Sequence, residues 1–153
     1  MTKNIILFCI LSISSITGFA AQLDISDAWI REAPPTAKNL AGYVTLSNKS
    51  KKTIEINSAK STLFAHVQMH VTSFEKGMMH MEKLKHVKIA PGEKVIFMPG
   101  GRHFMLMKPT KVIKTNMDVP VELKFSDGTA QTIHFKVQKE KPLITGKPEK
   151  TKH

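Results

Sequence analysis

Apolar and polar residues alternate with a period of two along most of the chain. Leu23 to Arg31, Leu40 to Ser47, Thr53 to Ala59, Phe64 to Thr72 and Met78 to Glu82 each read as a strand with one apolar face. Lys94 to Met98, Arg102 to Met107, Val119 to Phe125 and Thr129 to Val137 read the same way. Turn chemistry separates them at Asn48-Lys49-Ser50, Pro91-Gly92-Glu93, Pro99-Gly100-Gly101 and Ser126-Asp127-Gly128. No stretch sustains the 3.6-residue stripe of an amphipathic helix, and no internal repeat is visible. Many short strands at regular spacing predict an all-β, antiparallel sandwich or barrel.

Both ends depart from this pattern. Met1 to Asn4 carries Lys3, Ile5 to Phe19 is apolar or small, and Gly18-Phe19-Ala20 supplies small residues at a cleavage position. That is the plan of a secretory signal peptide, expected over 1–20, and the run is short for a bilayer-spanning helix. Cys9, the one cysteine, lies inside the apolar run and leaves with the signal. From Lys139 onward lysine and proline dominate, which predicts a flexible tail over 139–153. Between these ends, residues 21–138 form a single expected domain. It has no disulfide, and its length can bury a core sufficient to hold it. The expected location is a bacterial periplasm, without stable membrane insertion and as a monomer.

Charge changes the picture little. The chain carries 23 basic and 12 acidic residues, a net charge of +11. Export, the scatter of the lysines and the presence of only Arg31 and Arg102 argue against nucleic acid. A basic surface leaves docking on an acidic partner or an anionic membrane face open.

The candidate chemistry lies between 77 and 107, GMMHMEKLKHVKIAPGEKVIFMPGGRHFMLM, which holds six of nine methionines and His80, His86 and His103. Hydrolase and phosphate-binding motifs are missing, and without cysteine neither a C-x-x-C pair nor a blue-copper thiolate is available. His66-Val-Gln-Met-His70 has zincin spacing but lacks the glutamate base and falls in a strand. Thioether and imidazole donors together suit Cu(I) over hard ions. In an oxidising compartment thiols form disulfides, whereas methionine has no proton to lose and escapes that fate. Strand alternation turns His103 and Met105 to one face, with Phe104 and Leu106 to the other; Met79 and Met81 likewise share a face. Each methionine is also an ordinary core filler, so Met98, Met117, Met78, Met79 and Met107, with His86 and His134, have a structural reading beside any functional one.

The spacing His70, ten residues, Met81, twenty-one residues, His103-x-Met105 is the H-x10-M-x21-H-x-M signature. It resembles that of the PCu(A)C family of periplasmic copper chaperones. Asp27-Ala-Trp-Ile-Arg31, Ala41 to Asn48, Pro99 to Met107 and Val121 to Gly128 resemble the family's flanking motifs, so the likeness covers roughly 24 to 137. It implies a cupredoxin-like, antiparallel Greek-key β-sandwich with an exposed Cu(I) site and no enzymatic activity. Carried over by position, His70, Met81, His103 and Met105 are the ligands, with Met69 a substitute donor. The tail lacks the His- and Met-rich extension of some members. The implied role is delivery of Cu(I) to a protein acceptor, a cytochrome c oxidase subunit or another copper-assembly factor. A copper buffer, a β-sandwich interaction module whose methionines merely pack, and a copper enzyme are the competing readings.

Overall fold

The computed structural model describes residues 23–139, so the expected signal segment and all of the tail beyond Lys139 lie outside the described residues. Ten strands follow in chain order: β1 (Asp24–Arg31), β2 (Asn39–Ser47), β3 (Ile54–Lys60), β4 (Phe64–Glu75), β5 (Met78–Leu84), β6 (Val87–Ile89), β7 (Lys94–Phe97), β8 (Arg102–Pro109), β9 (Asp118–Phe125) and β10 (Ala130–Gln138). The described residues contain no helix, and none is therefore long and apolar enough to cross a membrane. The period-two segments all became strands. The three-residue β6 escaped because it is too short to display a period, and β4 and β5 each run further than the alternation suggested.

Hydrogen bonding links the strands in the order β5-β4-β8-β7-β2-β1-β10-β9-β3-β6. A single rung between Ala59 and Val67, joining β3 to β4, closes this sheet on itself. Long β2 serves two neighbours on one edge: Val44–Ser47 pairs with β7, and Asn39–Gly42 pairs with β8. The pairing is antiparallel, as expected, with two exceptions. β1 runs parallel to β10 through Trp29–Lys136, and β7 touches β8 in parallel at Phe97–Arg102. A bulge between Ser26 and Trp29, with Asp27 at φ 53°, shifts the register of β1 against β2.

Inward residues of this closed sheet make one core. Phe97 stacks on Phe104 with ring centroids 4.6 Å apart, and Phe104 meets Phe135 edge-on at 5.7 Å. Gly42 faces that cluster; a Cβ there would lie 3.1 Å from Leu106 and 3.3 Å from Phe135, both fully buried, so a larger residue would press these side chains aside by a few tenths of an ångström.

Several motif residues prove to be architectural. Trp29 lies 4.8 Å from its register partner Tyr43, and the Arg31 guanidinium sits 6.0 Å from the Tyr43 ring. Asn48 is buried at the end of β2, where every polar group is used. Its Nδ2 donates to the carbonyls of Lys52 (2.7 Å) and Ile89 (2.8 Å), and its Oδ1 accepts from the Ser50 amide (2.9 Å) and hydroxyl (2.7 Å). One side chain thus ties the β2–β3 turn to β6. Asn48→Ala should lower stability by about 1–3 kcal/mol for each buried group left unpaired. Chemical denaturation checks this, and an unchanged midpoint would remove Asn48 from the framework.

Candidate metal centre

Strands β4 and β8 pair antiparallel from Phe64–Pro109 to Val71–Arg102, and this register sets His70 directly opposite His103. Val67 and Met69 on β4, and Phe104 and Leu106 on β8, point into the core. The residues between them therefore face outward on the same side: His66, Gln68, His70 and Thr72 from β4, and His103, Met105 and Met107 from β8. The two imidazoles stand with centroids 5.7 Å apart and planes tilted by 53°. Met105 occupies the next row, opposite Gln68 and, on its other side, the small Ala41 of β2.

The turn before β8 fixes His103. Met98 to Gly101 closes with the Gly101 amide donating to the Met98 carbonyl at 3.0 Å, and Gly100 takes φ +77°, which glycine adopts without strain. The Gly101 carbonyl then accepts twice: from the Thr72 amide at 3.1 Å and from His103 Nδ1 at 3.2 Å. A carbonyl can only accept, so Nδ1 carries the proton and Nε2 keeps its lone pair. His103 is 7% exposed and, with Asn48, is one of two buried polar residues among those described.

His70 is fixed in the opposite sense. Its Nε2 donates to Gln68 Oε1 at 3.0 Å, and its Nδ1 is buried without a partner. A buried acceptor with nothing to accept from is costly unless a ligand supplies what is missing. Burial lowers the His70 pKa from the ordinary histidine value, and the neighbouring His103 and the Lys83 ammonium act in the same direction. The imidazole thus stays neutral, with its lone pair free, further into acid. Each ring is oriented by a partner on its remote nitrogen, the arrangement in which a neighbouring group sets a metal ligand's tautomer.

Met81 stands further out. It pairs with Thr72 across the β4–β5 hairpin, diagonal to His70, and is 53% exposed. Diagonal neighbours on one sheet face remain within reach of a long side chain. The structure therefore brings His70, His103 and Met105 together on one face and holds Met81 at its margin. Met69 is different: at 3% exposure it belongs to the core, so the suggestion of a substitute donor there is corrected. It neighbours His70 in sequence, but alternation sends it to the other face. Alternation puts Gln68, two residues before His70, on the same face, but its hydrogen bond to the ring was not foreseen from the sequence.

The remaining soft donors fall elsewhere. Met78 and Met79 lie on the exposed hairpin beside Phe74, Met98 packs against Gly101, and the Met117 sulfur accepts from the Lys114 amide at 3.1 Å. His134 bonds Asp118 at 2.7 Å and His86 lies 3.8 Å from Glu55, both away from this face. No group of three His, Cys, Asp or Glu able to hold a metal occurs among the described residues, so any ion here would rely on thioethers.

Residues 23–137 match the family described as "Putative lipoprotein LpqE-like". A relative in Leifsonia xyli subsp. xyli, described as "Putative lipoprotein Lxx21020", is 27% identical over 78% of this chain and 71% of its own length. Among solved structures, the copper-bound PCuAC domain from PmoF2 matches with a TM-score of 0.65 at 20% identity, covering 78% of this chain and 95% of that one. The Cu(I) form of DR1885 from Deinococcus radiodurans matches with a TM-score of 0.59 at 27% identity, covering 73% and 75% respectively. The likeness to PCuAC domains expected from the sequence is borne out, and the fold is theirs.

In an NMR titration, His70 should lose its proton at a lower pH than an ordinary histidine. The unfolded chain then binds the extra proton first, so stability falls as pH drops from the ordinary value through the lowered one, and is full above it. Lys83→Gln should move the His70 titration upward. A His70 midpoint at or above the ordinary value would contradict the described environment.

Proposed function

The chain belongs to the LpqE-like family, and on that premise we propose that it is an exported copper chaperone that binds Cu(I) through His70, Met81, His103 and Met105. The observation that carries this reading is the His70–His103 pair, each ring held by its far nitrogen and each retaining a lone pair beside Met105. Two borderline nitrogens with two soft, neutral sulfurs favour Cu(I) and suit zinc poorly. The copper-bound PCuAC domain from PmoF2 and the Cu(I) form of DR1885 support the choice of ion. The lipoprotein description of the family and of the Leifsonia relative agrees with export, here to the periplasm.

The function is transfer, not catalysis. His70, His103 and Met105 are set in paired strands, whereas Met81 rides on an exposed hairpin. Met81 is the ligand that leaves first. An acceptor thiolate or imidazole takes its place, and the ion then passes over by stepwise exchange without becoming free. The neutral thioethers lower the barrier to that exchange, because no charge must be separated when sulfur departs. The acceptor proposed is a copper centre of cytochrome c oxidase or another copper-assembly factor.

Anaerobic titration with Cu(I) against a chromophoric chelator tests the reading. One ion per chain should bind at this site, and His103→Ala and Met105→Ala should each weaken it on the order of 100-fold. Gln68→Leu, which frees the His70 ring, should cost roughly 10–100-fold, as outer-shell partners of metal ligands do. Met81→Ala should chiefly speed release to a copper-free oxidase domain. Equal affinity in all four variants would end the ligand assignment, and retention of copper in the presence of the oxidase domain would favour a buffer.

A further inference from the structure

The outward face of β4 and β8 does not end at Met105. One row further along, His66 stands directly opposite Met107 in the same register that pairs His70 with His103 and Gln68 with Met105. The buried neighbours Val67 and Leu106 fix both side chains outward. Directly opposed residues of an antiparallel pair have Cβ atoms about 4.5–5.5 Å apart, so an imidazole nitrogen and a thioether sulfur at these positions can meet on one ion. His66 is exposed and Met107 half-buried. His66 also lines a cleft of about 510 Å³, which it shares with Gln68, Lys60 and Lys83. The face therefore carries a ladder of donors, open to solvent at the His66 end.

We propose that His66 and Met107, assisted by Met105, form a second, weaker Cu(I) station from which the ion passes to the His70–His103 pair. Its existence rests on the function proposed above. Strand rise is about 3.4 Å per residue, so Met105 lies roughly 7 Å from the position of Met107 along β8 and the same distance from His103. Standing in the middle row, Met105 can bind an ion in either place and hand it across without release. Ala41 beside Met105 leaves space for its side chain to swing. The outer station has one nitrogen and one sulfur of its own, so it binds less tightly than the four-donor site and empties into it. Three lysines, Lys60, Lys83 and Lys85, wall the cleft and disfavour a bare cation; copper arriving in an anionic complex is drawn there instead.

The test supplies Cu(I) from its anionic bicinchoninate complex to the intact protein, anaerobically. The methionine methyl and histidine ring signals are followed by NMR. The first equivalent should move His70, His103, Met105 and Met81; a second should move His66 and Met107. The His66→Ala/Met107→Leu double variant keeps the fold, since His66 is exposed and Leu conserves volume. It should retain the first equivalent, lose the second, and load several-fold more slowly. A wild type in which His66 and Met107 stay unmoved through two equivalents, or a double variant that takes up two equivalents at an unchanged rate, overturns the second station while leaving the first site standing. Absence of any Cu(I) binding overturns both.

Discussion

The Gly101 carbonyl is the point on which the site depends. By accepting from the Thr72 amide it locks the end of β4 against the start of β8, and by accepting from His103 Nδ1 it sets the tautomer of the most buried donor. Both effects follow from one turn in which glycine at 100 takes a left-handed φ. If that register slipped by a single residue, His103 would exchange places with Phe104 and β8 would withdraw its donors from the face. The inner side of the same strands resists such a slip, because Phe104 is clamped between Phe97 and Phe135. The core thus guards the alignment of groups it never touches.

The two buried polar residues among those described illustrate opposite uses of hydrogen bonding. Asn48 spends all its capacity on neighbouring backbone and the Ser50 hydroxyl, and so holds the framework. His103 spends half, and His70 leaves its buried Nδ1 unanswered. A group fully satisfied by the protein has nothing to offer a ligand. A group half satisfied has been oriented and kept in reserve.

Much of this was legible in the sequence, because a period of two is local information. The strands, the shared face of His103 and Met105, and the turn at Pro99-Gly100-Gly101 all follow from residues close together along the chain. What could not be read was pairing across the sheet. The opposition of His70 to His103, the role of Gln68, the parallel β1–β10 contact and the burial of Met69 depend on register between distant segments. The flanking likenesses at Trp29, Arg31 and Asn48 were legible as a pattern but silent on purpose; packing and hydrogen bonding show them to be framework. His66 was weighed for the zincin spacing, and strand alternation puts it on the face of His70, but its partner across the sheet was out of view.

The single Ala59–Val67 rung that closes the sheet has a mechanical consequence. A cylinder fastened along one side by continuous ladders and on the other by one rung yields first at that seam, where local opening costs least. The flap that would swing is β5–β4–β8, and it carries every proposed donor with it as one rigid plate. The protein can therefore breathe at the seam, widening the cleft beside His66, while the spacing between the two imidazoles stays the same.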